Sequence, residues 1–214
     1  HTPTGSVGLP ELDRIALRQG IGEVLSLGVK KAAAAIGDAA VPFAMHVKGQ
    51  EMAGWNVPAS HDFAIVYGTA NRGASHQEGA SVPEQHRRTF LDALGVCRFV
   101  YGAVGTAPYQ RALTLATGLP GDDSSMLAIG ERIWNLEKMF KAREGFRRQD
   151  DRLPSRITSL RFTVGPKAGA TFPADKQDSL LDKYYADRGW DQQTSLPTPE
   201  KLKSLGLDKL VAKN

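Results

Sequence analysis

Cysteine is nearly missing from this chain: Cys97 is the single one among 214 residues. An internal disulfide is excluded, and so is any iron–sulfur centre held by this chain's thiolates alone, since a [4Fe–4S] cluster takes four. Long apolar runs are missing too. No stretch reaches the roughly 18 consecutive apolar residues of a membrane span, and the opening "HTPTGSVGLPELDR" has no basic-plus-apolar secretion signal. The expected compartment is therefore a reducing one, the cytoplasm. Aromatic residues are few, at 7%, and the net charge of +4 comes from scattered Lys and Arg. Without a basic stripe interleaved with aromatics, nucleic acid is not the expected partner. Even the densest basic run, "KAREGFRRQDDR", contains Asp150 and Asp151.

What is present is a mainly α, multihelical pattern. Two helices are expected to meet at Gly20–Gly22, the second with Ile21, Leu25, Val29 and Ala32 on one face. "VPFAMHVKGQE" and "FAIVYGTANRGAS" are short apolar runs that fit either a strand or a buried helix, and Gly68 and Gly73 mark close backbone approaches. "SVPEQHRRTFLDALGVC" predicts a helix capped by Ser81, with Pro83 and Glu84 in its first turn. A shorter helix ends at Gly118. In "DDSSMLAIGERIWNLEKMFKAREG", Met126, Ile129, Ile133, Leu136 and Phe140 form a continuous apolar seam, expected to be core, with Glu137 and Lys141 paired on the wet side. "RQDDRLPSRITSLRFTVGPKAGATFPAD" is a Pro/Gly-broken connector. In the next helix Leu180, Leu181, Tyr184 and Tyr185 face inward. Thr198 caps the last one, which Gly206 ends.

Three constellations carry chemically useful side chains. In "NRGASH", Arg72 offers a fork of donors, Gly73 lets the backbone approach a ligand, and His76 can move a proton near neutral pH; a polar turn has the same composition. In "DALGVC", Asp92 can accept hydrogen bonds from ring NH groups, Val96 lies one turn on if the segment is helical, and the Cys97 thiolate can bind iron; a buried structural cysteine is the plainer reading. The Arg, Trp and Asp of "GERIWNLEKMFKAREGFRRQDDRLPSR" and "YYADRGWD" read as packing and ion-pair residues.

These segments resemble the C-terminal part of the aldehyde ferredoxin oxidoreductase family. "AMHVKGQE" resembles its "hVKGlE", "ANRGASH" its "RGxxH", and "DALGVC" its "DxxGLC". "GERIWNLEKMFKAREGFRRQDDRLPSR" is similar to "GeRiwnleR.fN.reGf…DdLP.R", and "LLDKYYADRGWDQQTSLPTPEKLKSLGL" to "YY..RGWd…G.Pt.ekL..LgL". The likeness runs from about Leu12 to Leu207, in the family's order.

The resemblance implies a tungsten (or molybdenum) bis-pterin cofactor and a [4Fe–4S] cluster. Cys97 would be the last of four cluster ligands, Asp92 would hydrogen-bond a pterin, and Val96 would line it where the family usually has Leu. Arg72 would contact the cofactor, and His76 would exchange a proton with the substrate. The implied activity is oxidation of a small aldehyde to a carboxylic acid, with electrons passed to ferredoxin or an electron-transfer subunit. The family's "CxxCxxxC", its first acid-bearing pterin motif and its N-terminal β domain are missing from this sequence, and only 15 residues separate His76 from Asp92. The chain therefore reads as a C-terminal helical region, residues 1–40 ending the middle helical domain and 41–214 forming the C-terminal domain. The missing ligands would come from the remainder of the enzyme. Alternatives are a subunit of a tungsten-dependent reductase of an aromatic acyl thioester, or a non-catalytic helical interaction module.

Overall fold

The computed structural model describes residues 9–54, 57 and 60–211; the start of the expected middle-domain segment and Trp55, Asn56, Pro58 and Ala59 lie outside them. The described residues form a multihelical fold with one small hairpin, as the apolar periodicities predict. At the N-terminal end α1 (Leu9–Ala16), α2 (Ile21–Leu25) and α3 (Gly28–Ile36) follow one another. The expected single second helix is interrupted after Leu25. Its stripe is not core either: Ile21, Leu25 and Val29 are exposed, and only Ala32 is buried.

The ambiguous run at 41–51 resolves into a 3-10 turn (Val41–Phe43) and an antiparallel hairpin, β1 (His46–Val47) with β2 (Gln50–Glu51). Lys48 at its tip has φ 56°. The second ambiguous run is a buried helix, α4 (Asp62–Thr69). Its Gly68 permits a close approach, because a Cβ there would lie 2.4 Å from the Asp151 carbonyl oxygen.

The central pair is α5 (Val82–Ala93) and α8 (Asp123–Arg143). Ser81 caps α5 by accepting from the Glu84 N–H. The helix ends in a Schellman turn: Val96 N–H donates to the Leu91 carbonyl and Gly95 N–H to Asp92, with Gly95 at φ 72°. Two shorter helices, α6 (Arg98–Val104) and α7 (Ala107–Thr117), run between the pair, and α7 stops at left-handed Gly118. After α8 come a 3-10 turn (Arg148–Asp151), α9 (Ser155–Ser159), α10 (Ala174–Arg188), α11 (Pro199–Ser204) and α12 (Asp208–Val211). Thr198 caps α11, accepting from Lys201 N–H, and Gly206 follows the helix with φ 62°.

The face of α8 that enters the core differs from the expected seam. Met126, Gly130, Trp134, Lys138 and Ala142 are buried, whereas Leu136 and Phe140 are 43% and 56% exposed. Gly130 sets this rotation. A Cβ there would sit 1.9 Å from the His86 carbonyl oxygen, so the α5 backbone lies directly against it. Four residues apart, the buried positions form one ridge of the helix. Glu137 and Lys141 make no ion pair with each other.

The expected connector is far from inert. Its Asp151, Leu153 and Phe172 are buried, the last two packing with Tyr67 and Val47. On α10, Leu181, Tyr184 and Tyr185 face inward with Trp134 and Trp190, and Leu180 packs against the first cluster.

Candidate functional site

Two polar systems flank the α5–α8 pair. The first is fully buried. Asp151 accepts from Tyr185 Oη at 2.7 Å and pairs with Lys48 Nζ at 2.6 Å and Lys138 Nζ at 3.0 Å. Burial alone would raise the Asp151 pKa, but the two ammonium groups reverse this and hold it at about 2. Lys48 also donates to the Gly68 and Ala70 carbonyls, tying the hairpin tip to the end of α4.

Beside it lies Arg188, 2% exposed and with no carboxylate in contact. Its Nε donates to Tyr184 Oη at 2.6 Å, Nη1 lies 3.0 Å from His86 Nε2, and Nη2 donates to Gln85. The guanidinium stacks over Trp134, Tyr184 and Trp190. Burial, then the neighbouring Arg188 charge, pushes the His86 pKa down to about 4, so its ring is neutral and can accept the Arg188 proton.

The second system is an open rim. A cavity of about 560 Å³ is lined by Asn71, Arg72, Glu78, Arg88, Asp92, Ile133, Trp134, Leu136, Glu137, Phe140 and Lys141, among others. A smaller one of about 250 Å³ shares Arg72, Arg88 and Asp92 with it and adds Val96, Cys97, Arg98, Phe99 and Tyr101. The larger volume is that of an organic-cofactor or small-substrate site. Two of the exposed apolar residues of α8, Leu136 and Phe140, thus line this cavity.

Four of the five residues singled out from the sequence meet here. Arg72 is exposed, but Glu78 accepts from its Nε at 2.7 Å while the other Glu78 oxygen accepts Asn71 N–H. Asn71 Nδ2 in turn donates to the Trp134 carbonyl and to Glu137. Asp92 lies on the last turn of α5 and Cys97 precedes α6, so the Schellman turn between them sets their spacing. Helical spacing does not run through the motif: the helix has ended before Gly95, which serves the turn. Half-buried Val96 packs against the cluster of Phe90, Leu91, Leu113 and Met126, pinning the turn to the core. Cys97 is exposed and lines the smaller cavity.

The fifth residue, His76, is half-buried in the same loop as Arg72 and lines neither cavity. Gly73 does not face a ligand. A Cβ on it would meet Val47 O and Gln50 Cβ, each at 2.8 Å, so it lets the loop pack on the hairpin.

Sequence reasoning missed several rim residues. Lys141 lines the larger cavity with a pKa lowered to about 8, first by burial and then by Lys48. Glu137 is raised, chiefly by desolvation. A signal was available for Lys141, which stands where the family pattern quoted above has N. Arg88 and Arg98 carried no signal beyond their charge.

The rim also fits the groups that the resemblance implies. Among the described residues the Asp92 carboxylate accepts no hydrogen bond, the Arg98 guanidinium donates none, and the buried Trp134 indole N–H has no acceptor. One acceptor and two donors are left over around cavities wide enough to take a polar ring. Cys97 is the one thiol this chain could bring to a cluster. No group of three or more His, Cys, Asp and Glu side chains among the described residues can hold a metal.

Residues 9–207 match the family model described as aldehyde ferredoxin oxidoreductase, domains 2 and 3. The tungsten-containing aldehyde ferredoxin oxidoreductase of Pyrococcus abyssi is 28% identical over 226 residues, covering 94% of this chain and 36% of the relative. That of Pyrococcus furiosus is 28% identical over 222 residues, covering 92% and 36%. In fold, the chain is similar to the active site complex BamBC of benzoyl coenzyme A reductase, solved with 1,5-dienoyl-CoA. The TM-score is 0.69 at 20% identity, over 99% of this chain and 41% of that one. The chain spans 36% of the length of the curated relatives it matches. It belongs to the aldehyde ferredoxin oxidoreductase family, in the part that forms domains 2 and 3.

Proposed function

We propose that this chain is the domain 2–3 portion of a tungsten bis-pterin oxidoreductase, working in a larger polypeptide or complex that oxidises aldehydes to carboxylic acids. The observation that carries the reading is the rim itself: an uncommitted carboxylate at Asp92 and an exposed thiol at Cys97, five residues apart across one turn beside two cavities that share lining residues. Holding two redox groups a few residues apart gives the short electron path such a reaction needs.

A bound tungsten bis-pterin would supply two-electron redox chemistry, in which an aldehyde and water become a carboxylic acid, two protons and two electrons, and a [4Fe–4S] cluster would supply the path for those electrons to ferredoxin or a partner subunit. The chain's own residues bind and orient. Asp92 accepts hydrogen bonds from ring NH groups of a pterin, and Arg72, braced by Glu78, donates to the cofactor. Val96 packs against the same ring system. Cys97, as thiolate, supplies the last of four cluster ligands, the other three coming from a "CxxCxxxC" segment in the remainder of the enzyme. His76 exchanges a proton with the substrate; its loop is anchored at Asn71 and Glu78, which fixes it relative to Arg72. The division near residue 40 fits this reading, because residues 12–36 expose Leu12, Leu17, Ile21, Leu25 and Ile36, an apolar face that another part of the enzyme could cover.

A second reading keeps the cofactors and changes the reaction: a subunit of a tungsten-dependent reductase of an aromatic acyl thioester. The fold similarity to the benzoyl coenzyme A reductase complex supports it. One anaerobic experiment tests both. The native complex is assayed for tungsten, molybdenum and iron, then for electron release from aldehydes and for reduction of an aromatic acyl thioester. Metal with aldehyde turnover supports the first reading, and metal with thioester turnover supports the second. Absence of tungsten, molybdenum and iron in every anaerobic preparation contradicts both and leaves the non-catalytic module.

A further inference from the structure

Arg98 is the least explained charge on the rim. It is half-buried and donates to no acceptor among the described residues. As the first residue of α6 it gains nothing from the helix dipole, which favours anions at that end. Arg72 and Arg88 line the same cavity, but each is tied by a carboxylate: Arg72 by Glu78, Arg88 by Glu84. Arg88 also donates to the Gln77 carbonyl at 2.6 Å, which fixes its guanidinium.

Three guanidinium groups thus border about 250 Å³, with Asp92 as the one carboxylate among them and Cys97 between Val96 and Arg98. Partial burial of like charges is unfavourable unless an anion joins them. The strain registers on the groups themselves: desolvation, then Arg98, lowers the Arg88 pKa to about 10.

We propose, on the assignment of Cys97 as a cluster ligand, that Arg98, supported by Arg88, balances the negative charge of the cluster at Cys97 and thereby raises its reduction potential. Reduction of a thiolate-ligated cluster adds one electron, delivered from the oxidised substrate, and makes the centre more negative by one charge. No proton is taken up and no bond breaks. A nearby guanidinium lowers the free energy of the reduced form more than that of the oxidised one. Arg98 is the dominant contributor because its charge is not already spent on a carboxylate, as that of Arg88 is on Glu84. It touches neither substrate nor pterin in this role, and acts as a tuning residue.

The test is an anaerobic redox titration of the complete enzyme, followed by the electron paramagnetic resonance signal of the reduced cluster. Arg98→Gln is expected to keep its iron content and shift the midpoint potential to more negative values. Arg98→Lys should return it towards the parent value, which a purely structural role would not do. Arg88→Gln should give a smaller shift in the same direction, and it carries the test if Arg98→Gln does not assemble. An unchanged midpoint in whichever glutamine variant assembles overturns the proposal. Cys97→Ser separates this from the underlying assignment: full iron in that variant removes the ligand role itself, whereas lost iron there with an unmoved Arg98→Gln midpoint removes the tuning role alone.

Discussion

The network around Asp151 and the rim around Asp92 use the same residue types on neighbouring elements, and they differ in whether those residues are partnered. Asp151 has two ammonium groups and a phenol; even the isolated cation Arg188 has a phenol, an amide, a neutral imidazole and three aromatic rings. Among the described residues, the side chains of Asp92 and Arg98 have no hydrogen-bond partner. A buried charge left alone would not survive in the fold, so the first region must be complete within this chain. The second can stay incomplete because it is open, and under the proposed function its unmet groups are the ones that would meet the cofactor. The family motifs divide along the same line. Lys48, Asp151, Arg188 and Trp190 lie within recognisable segments yet build the scaffold, whereas Arg72, Asp92 and Cys97 lie at the rim.

Substitutions sharpen this contrast. The largest effect is expected from Asp151→Asn, which leaves Lys48 and Lys138 buried beside each other without a counter-charge. Removing one partner of such a cluster costs about 3–5 kcal/mol, read as a lower urea midpoint of the protein. A loss below about 1 kcal/mol would mean that water reaches the cluster.

Acid should act next. The folded-state pKa of His86 is depressed to about 4, so the fold favours its neutral form. Its contribution is complete above the unfolded value near 6.5 and is lost as pH falls from there to about 4. That corresponds to a decline on the order of 2–3 kcal/mol, measurable as the difference between urea midpoints at the two pH values. His86→Gln, which keeps an acceptor for Arg188, should flatten this part of the profile. An equally steep profile in the variant would assign the acid sensitivity elsewhere.

The smallest stability effect is expected at the rim. Asp92→Asn removes an exposed carboxylate without a bonded partner, so stability should change by no more than about 0.5 kcal/mol, while pterin content of the complete enzyme falls. A large stability loss with pterin retained would move Asp92 from the binding rim into the scaffold.

Local signals were legible in the sequence and long-range ones were not. Ser81, Thr198, Gly118 and Gly206 act through hydrogen bonds to residues a few positions away, and each cap and stop stands where the pattern put it. The face of α8 was misplaced because its rotation depends on Gly130 meeting α5 and on Lys138 reaching Asp151, neither of which appears in a helical periodicity. The stripe of α2 and α3 is apolar but open, so periodicity marked a face to be covered without saying by what. Among the site residues, the Asp92–Cys97 spacing was readable as a motif. The contribution of Arg88, Arg98 and Lys141 emerges only when α5, α6 and α8 are placed together around one opening.

The most direct measurement compares two variants of the complete enzyme, Cys97→Ser and Asp151→Asn, by thermal unfolding and by iron content. Cys97→Ser should unfold at nearly the parent temperature of a cluster-free control and lose iron, whereas Asp151→Asn should unfold well below the parent. Full iron in Cys97→Ser, with an unchanged spectrum of the reduced cluster, would contradict the division between a finished scaffold and a rim awaiting its cofactors.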